Sequence, residues 1–305
     1  MRRYFVARLA QSALAVACAL VLVFFMVRLT GDPAVMMLPQ EASAADVAAF
    51  RSAMGFDRPL AVQFWDFVRR AAVGDFGKSL HYRMSAWALI MERLPATLEL
   101  ATAALCFAVA VAVPLGVLAA TRPGSVWDAL AQGVALLGQA VPAYWAGLVL
   151  ILLLSVQLNL LPVSGRSSFG SLVMPMITLA MGTLGRLTQL ARAVMRNVLG
   201  QDYVRTAHSK GLRPRTVYYR HALKNAAIPL ITMVGLNFGY MLGGSVLIES
   251  VFAWPGIGRL AAQAVFQRDF PLVQAVAFFG SLVVIGVNLV TDLVYGLVNP
   301  QIRVG

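Results

Sequence analysis

The sequence carries little charge for its length. Only 12% of its 305 residues are Asp, Glu, Lys or Arg, while 59% are hydrophobic and the mean hydropathy is +0.75. A soluble domain holds about 25% charged residues. The composition therefore argues against a water-soluble globular protein and predicts that lipid is the main solvent of this chain.

Cysteine is also scarce. Cys18 and Cys106 lie inside apolar runs and form no CxxC pair, so the sequence supports neither a disulfide framework nor a zinc site. The three histidines have no second His or Cys at helical spacing. We expect this chain to bind no metal and no other cofactor.

Catalytic and nucleotide-binding motifs are missing as well. Gly77-Lys78-Ser79 suggests a phosphate-binding loop, but the first glycine of that motif would fall at Ala72. There is no HExxH, GxSxG or Ser/His/Asp arrangement. A membrane-embedded enzyme would need such a constellation, so we expect a non-catalytic chain.

Acidic residues are few, and the net charge is +12. Residues 30–93 are neutral, whereas eight basic residues and only Asp202 as an acid fall within 192–224. Basic loops held against anionic lipid account for most of this excess. Nucleic acid is therefore not a predicted partner, and the lipid bilayer is.

Long apolar runs, in contrast, are abundant. A helix needs about 20 apolar residues to cross roughly 30 Å of hydrocarbon. Six runs qualify, at about 9–29, 95–120, 129–157, 171–194, 228–251 and 272–298. They are continuous rather than alternating, which favours helices over barrel strands. The first run lacks a small-residue cleavage site, so we expect a retained helix rather than a signal peptide.

Basic residues also predict the orientation. With both termini in the cytoplasm, Arg2, Arg3, Arg8, Arg122, the 192–224 cluster and Arg303 lie inside, as the positive-inside rule requires. Arg166, Arg259, Arg268 and the segment 30–93 then lie outside. Within that segment we predict helices at Ala44–Met54, capped by Ser43, and at Pro59–Ala72, ending near Gly74.

The most informative segment is the basic stretch 202–229 between two predicted spans. Gly211 is expected to break a helix and Pro214 to start another, in which Val217, Tyr218, His221 and Ala222 recur on one face. A short helix across the loop would offer that face and its basic flank to a groove in a soluble protein. The same composition also suits an interfacial helix resting on lipid.

This segment resembles the coupling loop of ATP-binding-cassette (ABC) importer permeases. Arg205-Thr206-Ala207, Gly211, His221-x-Leu223-Lys224-Asn225-Ala226 and Pro229 depart from the general Glu-Ala-Ala pattern in the way typical of the dipeptide/oligopeptide/nickel branch. Further segments similar to this branch are Gly31-Asp32-Pro33, Gly55–Leu60, Gly74–Ser79, Leu94–Leu100, Glu249–Leu260 and Asn299–Arg303.

The resemblance implies an all-α polytopic membrane protein with the type I ABC importer permease fold, five core helices and an extra N-terminal helix. Residues 1–93 would hold the first helix and the extracytoplasmic region. Residues 94–299 would form the permease domain with the coupling loop 202–229, and residues 300–305 a tail. It also implies that Arg205–Tyr219 contains a coupling helix that docks on an ATPase subunit. The coupling residues are then Arg205, Thr206, Ala207, Lys210, Gly211, Arg213, Arg215, Tyr218 and His221.

Polar residues at membrane depth are functional candidates. Gln139, Asn237 and Asn288 are the expected translocation-pathway residues, although interhelical hydrogen bonds would also explain such side chains. At the outer mouth, contact with a partner permease or a solute-binding protein is expected from Glu249, Trp254, Pro255, Gly256 and Arg259.

The expected protein is thus a permease subunit of an ATP-driven importer in a bacterial inner membrane. By the resemblance, it would pair with a homologous permease, two cytoplasmic ATPases that bind ATP and Mg²⁺, and an extracytoplasmic solute-binding protein. A di- or oligopeptide is the expected substrate; glutathione, a nickel chelate or metallophore, and an opine stay open. A secondary transporter not driven by ATP is the alternative, but it would need inverted repeats and several deep charged residues.

Overall fold

The computed structural model describes residues 2–38 and 42–298 of the chain. Over these ranges the only regular elements are helices, apart from an isolated antiparallel bridge between Lys78 and Ser85. The all-α prediction is confirmed. The Asn299–Arg303 pattern and the predicted tail 300–305 lie outside the described residues.

Fourteen α-helices follow one another along the described chain. They are α1 Arg2–Thr30, α2 Pro33–Met37, α3 Ala44–Met54, α4 Leu60–Ala72, α5 Ala86–Thr121, α6 Val126–Ala140, α7 Ala143–Leu150, α8 Phe169–Leu199, α9 Asp202–Ser209, α10 Pro214–Thr216, α11 Leu223–Gly244, α12 Val246–Val251, α13 Ile257–Phe266 and α14 Phe270–Val298. Two π-helical segments, Ile151–Gln157 and Val217–Ala222, continue α7 and join α10 to α11.

Five of these helical stretches are long and apolar enough to cross a bilayer. They begin at Arg8, Ala86, Phe169, Pro214 and Phe270. The pair Val126–Ala140 and Ala143–Gln157 passes the same test when its two limbs are taken together. With this pair, the described chain holds the six predicted spans.

The third span, predicted over 129–157, is present, but it is not one straight helix. The chain bends by 105° between α6 and α7. Val141 and Pro142 both have extended backbone at the break. Pro142 removes a backbone donor and disfavours helical geometry in Val141 before it, so an apolar run that reads as continuous becomes two limbs.

The bent pair nevertheless runs back along α5 from its last residue to the level of Glu99. It begins just after Arg122, which follows the last residue of α5. It leads to Arg166, whose Nε and Nη2 lie 2.8 and 2.5 Å from Oε2 of Glu99 in the first half of α5. Glu99 and Thr121 are separated by about 33 Å of helix. The pair therefore covers the distance of a membrane crossing.

The fifth span also differs from its predicted bounds of 228–251. Helical structure starts at Pro214 and runs through the π segment and α11 to Gly244. The chain then turns at Ser245, and Val246–Val251 forms the separate helix α12. The predicted loop 202–229 is thus mostly helix, and its second half is the start of a span.

Two compact units divide the chain: Met1–Thr97 with Pro255–Gly286, and Leu98–Trp254 with Val287–Gly305. The sequence-based division at residue 93 stays a prediction. In the first unit, Leu89, Ile90, Leu260 and Leu272 are buried in one apolar cluster.

The predicted helices in the segment 30–93 are present. Ser43 and Asp46 form a capping box at the start of α3, and the hydrogen bonds from Ser43 lower the pKa of Asp46. Gly74, with φ +74°, follows α4. Buried Asp269 accepts a hydrogen bond from the Ser79 hydroxyl and caps α14 through the Leu272 N–H at 3.3 Å.

In the second unit, α8 is the helix against which α6, α7 and α11 pack. Glycine permits the close approach: a Cβ on Gly138 of α6 would lie 2.5 Å from the Met181 carbonyl oxygen, and one on Gly185 would lie 3.1 Å from that of Ala135. Such small-residue contacts are typical of membrane helices, where packing drives association. These contacts hold α6 against α8.

Candidate functional site

A short helix joins the two spans formed by α8 and by α10 to α11. This helix, α9, covers Asp202–Ser209 and is followed by the link 210–213. Gly211 in the link has φ +75°, in the left-handed region that glycine tolerates, and Pro214 is the first residue of α10. The predicted break at Gly211 and the restart at Pro214 are confirmed.

An apolar contact braces α9 against both spans. Val204 and Ala207 on α9 pack with Val217, which is fully buried, and with Val198 and Leu199 at the end of α8. A helix of eight residues is not stable alone in water. Burial of side chains such as Val204 and Val217 stabilises it by about 1.5–3 kcal/mol each. These contacts join α9 to the end of α8 and to Val217, directly after α10.

The opposite side of α9 and the link form a cationic surface. Its exposed side chains include Arg205, Lys210, Arg213 and Arg215, together with Thr206. Asp202, the one acid of the segment 192–224, lies 3.6 Å from Arg205 in an ion pair whose side chains are 97% and 80% exposed. A pair so exposed adds little to stability, so most of the positive charge is open to a partner.

The apolar face predicted for 217–222 is not available to a partner. Val217 and Ala222 are buried, Ala222 among Val117 and Met195. Tyr218 and His221 are half-buried, and the ring of Tyr218 lies edge-on to that of His208 at 6.2 Å. Ala207, one of the predicted coupling residues, is buried too. The exposed surface is instead the polar side of α9 and the link, where Tyr203 and Leu212 add apolar patches that sequence reasoning missed.

A second polar site lies between α8 and α11. Asn237 on α11 is buried, and its Oδ1 accepts hydrogen bonds from Thr183 Oγ1 at 3.1 Å and Arg186 Nη2 at 2.9 Å. The Arg186 guanidinium also lies 5.4 Å from the centre of the Tyr240 ring, within cation–π range. Of the three predicted pathway residues, only Asn237 belongs to this cluster.

The other two pathway candidates lie elsewhere. Gln139 is exposed next to the bend after α6, and its amide donates to the Ala135 carbonyl at 3.0 Å. Asn288 is an exposed residue of α14. Arg186 and Thr183 were missed, although a charged residue well inside an apolar run is a signal that the sequence carried.

The predicted outer-mouth residues divide by exposure. Glu249 is fully buried and accepts a hydrogen bond from Ser245 Oγ at 2.9 Å, and Trp254 is fully buried under the Arg166 guanidinium. These two side chains offer no surface to a partner in this structure. Pro255, Gly256 and Arg259 do line a cavity of about 160 Å³ together with Tyr82 and Gln263.

Comparison with known proteins agrees with this architecture. The family model "Binding-protein-dependent transport system inner membrane component" matches residues 112–304, and its N-terminal counterpart matches residues 1–101. The chain is 37% identical to the dipeptide transport system permease protein DppB of Escherichia coli (strain K12), over 92% of each chain. It is 39% identical to the glutathione transport system permease protein GsiC of the same strain, over 93% of each.

Solved structures show the same fold. Two inward-facing crystal forms of the MetNI methionine ABC transporter match with TM-scores of 0.54 and 0.57 at 17% and 16% identity. Each match covers 69% of this chain and 96% of the other. At this identity the likeness concerns the fold alone.

The fold and the similarity to known proteins together identify the chain as a multi-pass permease subunit of an ABC importer, with the type I permease fold. The chain belongs to the family of binding-protein-dependent transport system inner membrane components. It is an inner-membrane protein, as predicted.

Proposed function

We propose that the chain is one of two permease subunits that import di- or oligopeptides, and that α9 with the link 210–213 is its coupling surface for a cytoplasmic ATPase. The observation that carries this proposal is the packing of α9. Its apolar side is buried against both neighbouring spans through Val204 and Val217. Its cationic side is exposed, so a force on that surface passes directly into two membrane helices.

Peptides are the proposed substrate class because the relatives carry them. DppB is named for dipeptide transport and GsiC for glutathione, itself a peptide. Both are matched over more than nine-tenths of their length. The chain would perform no chemistry on the peptide and bind no cofactor, since ATP and Mg²⁺ would be held by the ATPase subunits. Its other partners would be a homologous second permease and a solute-binding protein.

The proposed orientation has both termini in the cytoplasm. It places the cationic surface of α9 on the side where the ATPases lie, and Arg166 with the segment 30–93 on the opposite side. Exposed Arg205, Lys210 and Arg213 would meet an acidic surface on the ATPase, because complementary charge steers association and fixes the docking register.

Purification of the complete transporter tests the coupling surface. The chain is co-expressed with its second permease, its ATPases and its binding protein, and the triple variant R205E/K210E/R213E is compared with R268E. Arg268 is exposed and belongs to the other compact unit, so R268E is a control for the effect of reversing a surface charge. The ATPases should be lost from the triple variant and kept by R268E.

Transport measurements test the rest of the proposal. Proteoliposomes that hold the wild-type complex should take up radiolabelled dialanine or glutathione only when ATP and the binding protein are supplied. Uptake that continues without ATP would favour the secondary-transporter alternative. Equal retention of the ATPases by wild type and the triple variant would refute the assignment of α9.

A further inference from the structure

The cluster around Arg186 lies at membrane depth in the second unit. Arg186 is 13 residues before Leu199, the last residue of α8, and this corresponds to about 20 Å along the helix axis. The helix continues for a further 17 residues towards Phe169. A bilayer has about 30 Å of hydrocarbon, so both helix ends lie far enough away to keep Arg186 within it.

Within the described part of the chain, no carboxylate neutralises the positive charge of Arg186. Its described partners are the amide oxygen of Asn237 and the ring of Tyr240, and neither is a carboxylate. An arginine at this depth is costly unless it meets an anion or a water-filled cavity. The contacts orient the guanidinium without neutralising it, which is the arrangement of a binding group.

The surface around Arg186 is not suited to lipid. Gly182, Arg186, Gln189, Ala193 and Arg196 follow one another at helical spacing and are exposed or half-exposed, whereas Leu187, Ala191 and Met195 on the other side are buried. This face therefore presents a stripe of small and polar side chains along α8. Tyr240, 67% exposed on α11, extends it with a hydroxyl group. The stripe ends next to α9.

We infer that Arg186, held by Asn237 and Tyr240, binds the carboxylate of the transported peptide during its passage through the membrane. A guanidinium presents parallel N–H donors that match the two oxygens of a carboxylate. Dipeptides and glutathione both end in such a group, so the site suits either substrate. The inference rests on the proposed peptide import and adds a specificity-determining residue to it.

The hydrogen bonds around Arg186 orient its guanidinium group for a ligand. Asn237 Nδ2 donates to the Met233 carbonyl at 2.7 Å, which fixes the amide so that its oxygen faces Arg186 and Thr183. Arg186 uses Nη2 for this contact. Nε and Nη1 donate no hydrogen bond to the described residues, so they can donate to a carboxylate. Because Asn is neutral, the positive charge remains for the substrate.

The inference can be tested on the complete transporter reconstituted into vesicles. Uptake of radiolabelled dialanine and hydrolysis of ATP are measured in the same vesicles. R186Q should lower uptake by on the order of tenfold or more, because charge-assisted hydrogen bonds are lost, while ATP hydrolysis stimulated by the binding protein stays nearly unchanged. R186K should retain part of the uptake, because a point charge replaces the fork. R122Q, at an exposed arginine outside the stripe, is the matched control and should behave as wild type.

A second variant tests the same inference if R186Q fails to fold. N237D places a carboxylate beside Arg186 with almost no change of volume, and this internal anion should compete with the substrate and lower dialanine uptake. Unchanged uptake by R186Q or by N237D would overturn the inference. Loss of the second permease from purified R186Q would overturn it as well, since the cation would then pair with that subunit. If wild type shows no ATP-dependent uptake, the proposed peptide import itself fails.

Discussion

Arg192 Nε lies 2.5 Å from Asp128 Oδ1, in an ion pair that joins the first turn of α6 to the last third of α8. The Asp128 side chain is only 7% exposed, and its second oxygen accepts a hydrogen bond from the Gly124 N–H at 3.0 Å. The pair thus fastens the first limb of the bent span close to the end of α8 that leads into α9.

D128N should therefore destabilise the protein, because the Arg192 charge loses its counter-ion in a largely buried position. The expected result is a melting temperature lowered by several degrees, measured on the purified complex in detergent. D66N is the control, since Asp66 pairs with Arg58 at 3.6 Å through side chains that are 44% and 60% exposed. Equal melting temperatures for the two variants would contradict the importance of the buried pair.

Two glycines on α6 give a matched test of helix packing. G138A would place a Cβ 2.5 Å from the Met181 carbonyl oxygen, whereas a Cβ at Gly133 meets nothing within 4 Å. G138A should push α6 away from α8 and lower both thermal stability and transport. G133A should be neutral or stabilise the helix by up to about 1 kcal/mol, because alanine loses less entropy there than glycine. Wild-type stability in G138A would show that the close approach is not needed.

The link after α9 can be tested with two glycines in the same backbone conformation. Gly211 has φ +75° and Gly124 has φ +74°, and neither has an atom within 4 Å of an added Cβ. Alanine at either position costs about 1–2 kcal/mol of local strain. If the link transmits force from the ATPase, G211A should lower the ratio of peptide transported to ATP hydrolysed, and G124A should not. The same ratio in both variants would place Gly211 outside the coupling surface.

Orientation is open to a labelling experiment. After Cys18 and Cys106 are replaced by alanine, L212C in the link and V163C before α8 each provide one exposed thiol. A membrane-impermeant maleimide added to spheroplasts should label V163C, while L212C should react only in inverted vesicles. The reverse pattern would invert the proposed topology and remove α9 from the side of the ATPases.

Much of the fold was predictable because the bilayer imposes strong rules on sequence. Continuous apolar runs predicted all six crossings, although the second and fifth begin well before their predicted first residues, at Ala86 and Pro214. Gly211 and Pro214 marked the boundaries around the link, and Ser43 marked the start of α3, because their backbone preferences are local. The bend at Pro142 was missed, since hydropathy measures the length of an apolar run and not its direction.

The candidate sites were predictable only in part. The basic segment pointed to the coupling surface. However, the periodic face at Val217 and Ala222 was expected to be exposed to a partner, and these side chains are buried within the chain. An amphipathic pattern shows that a helix has an apolar side without showing whether its own chain or a partner covers that side. Asn237 was selected by depth, whereas its partner Arg186 was missed.

The sequence by itself determined that this chain is a membrane protein, that it crosses the bilayer with helices, and that it carries a cationic segment between two crossings. These features follow from solvation and backbone preference, which act residue by residue. Only the tertiary structure decided that α9 is braced by Val204 and Val217, that the third crossing bends, and that Arg186 meets Asn237. Those relationships depend on which helices touch, and long-range packing decides that through side-chain volume and the pairing of polar groups.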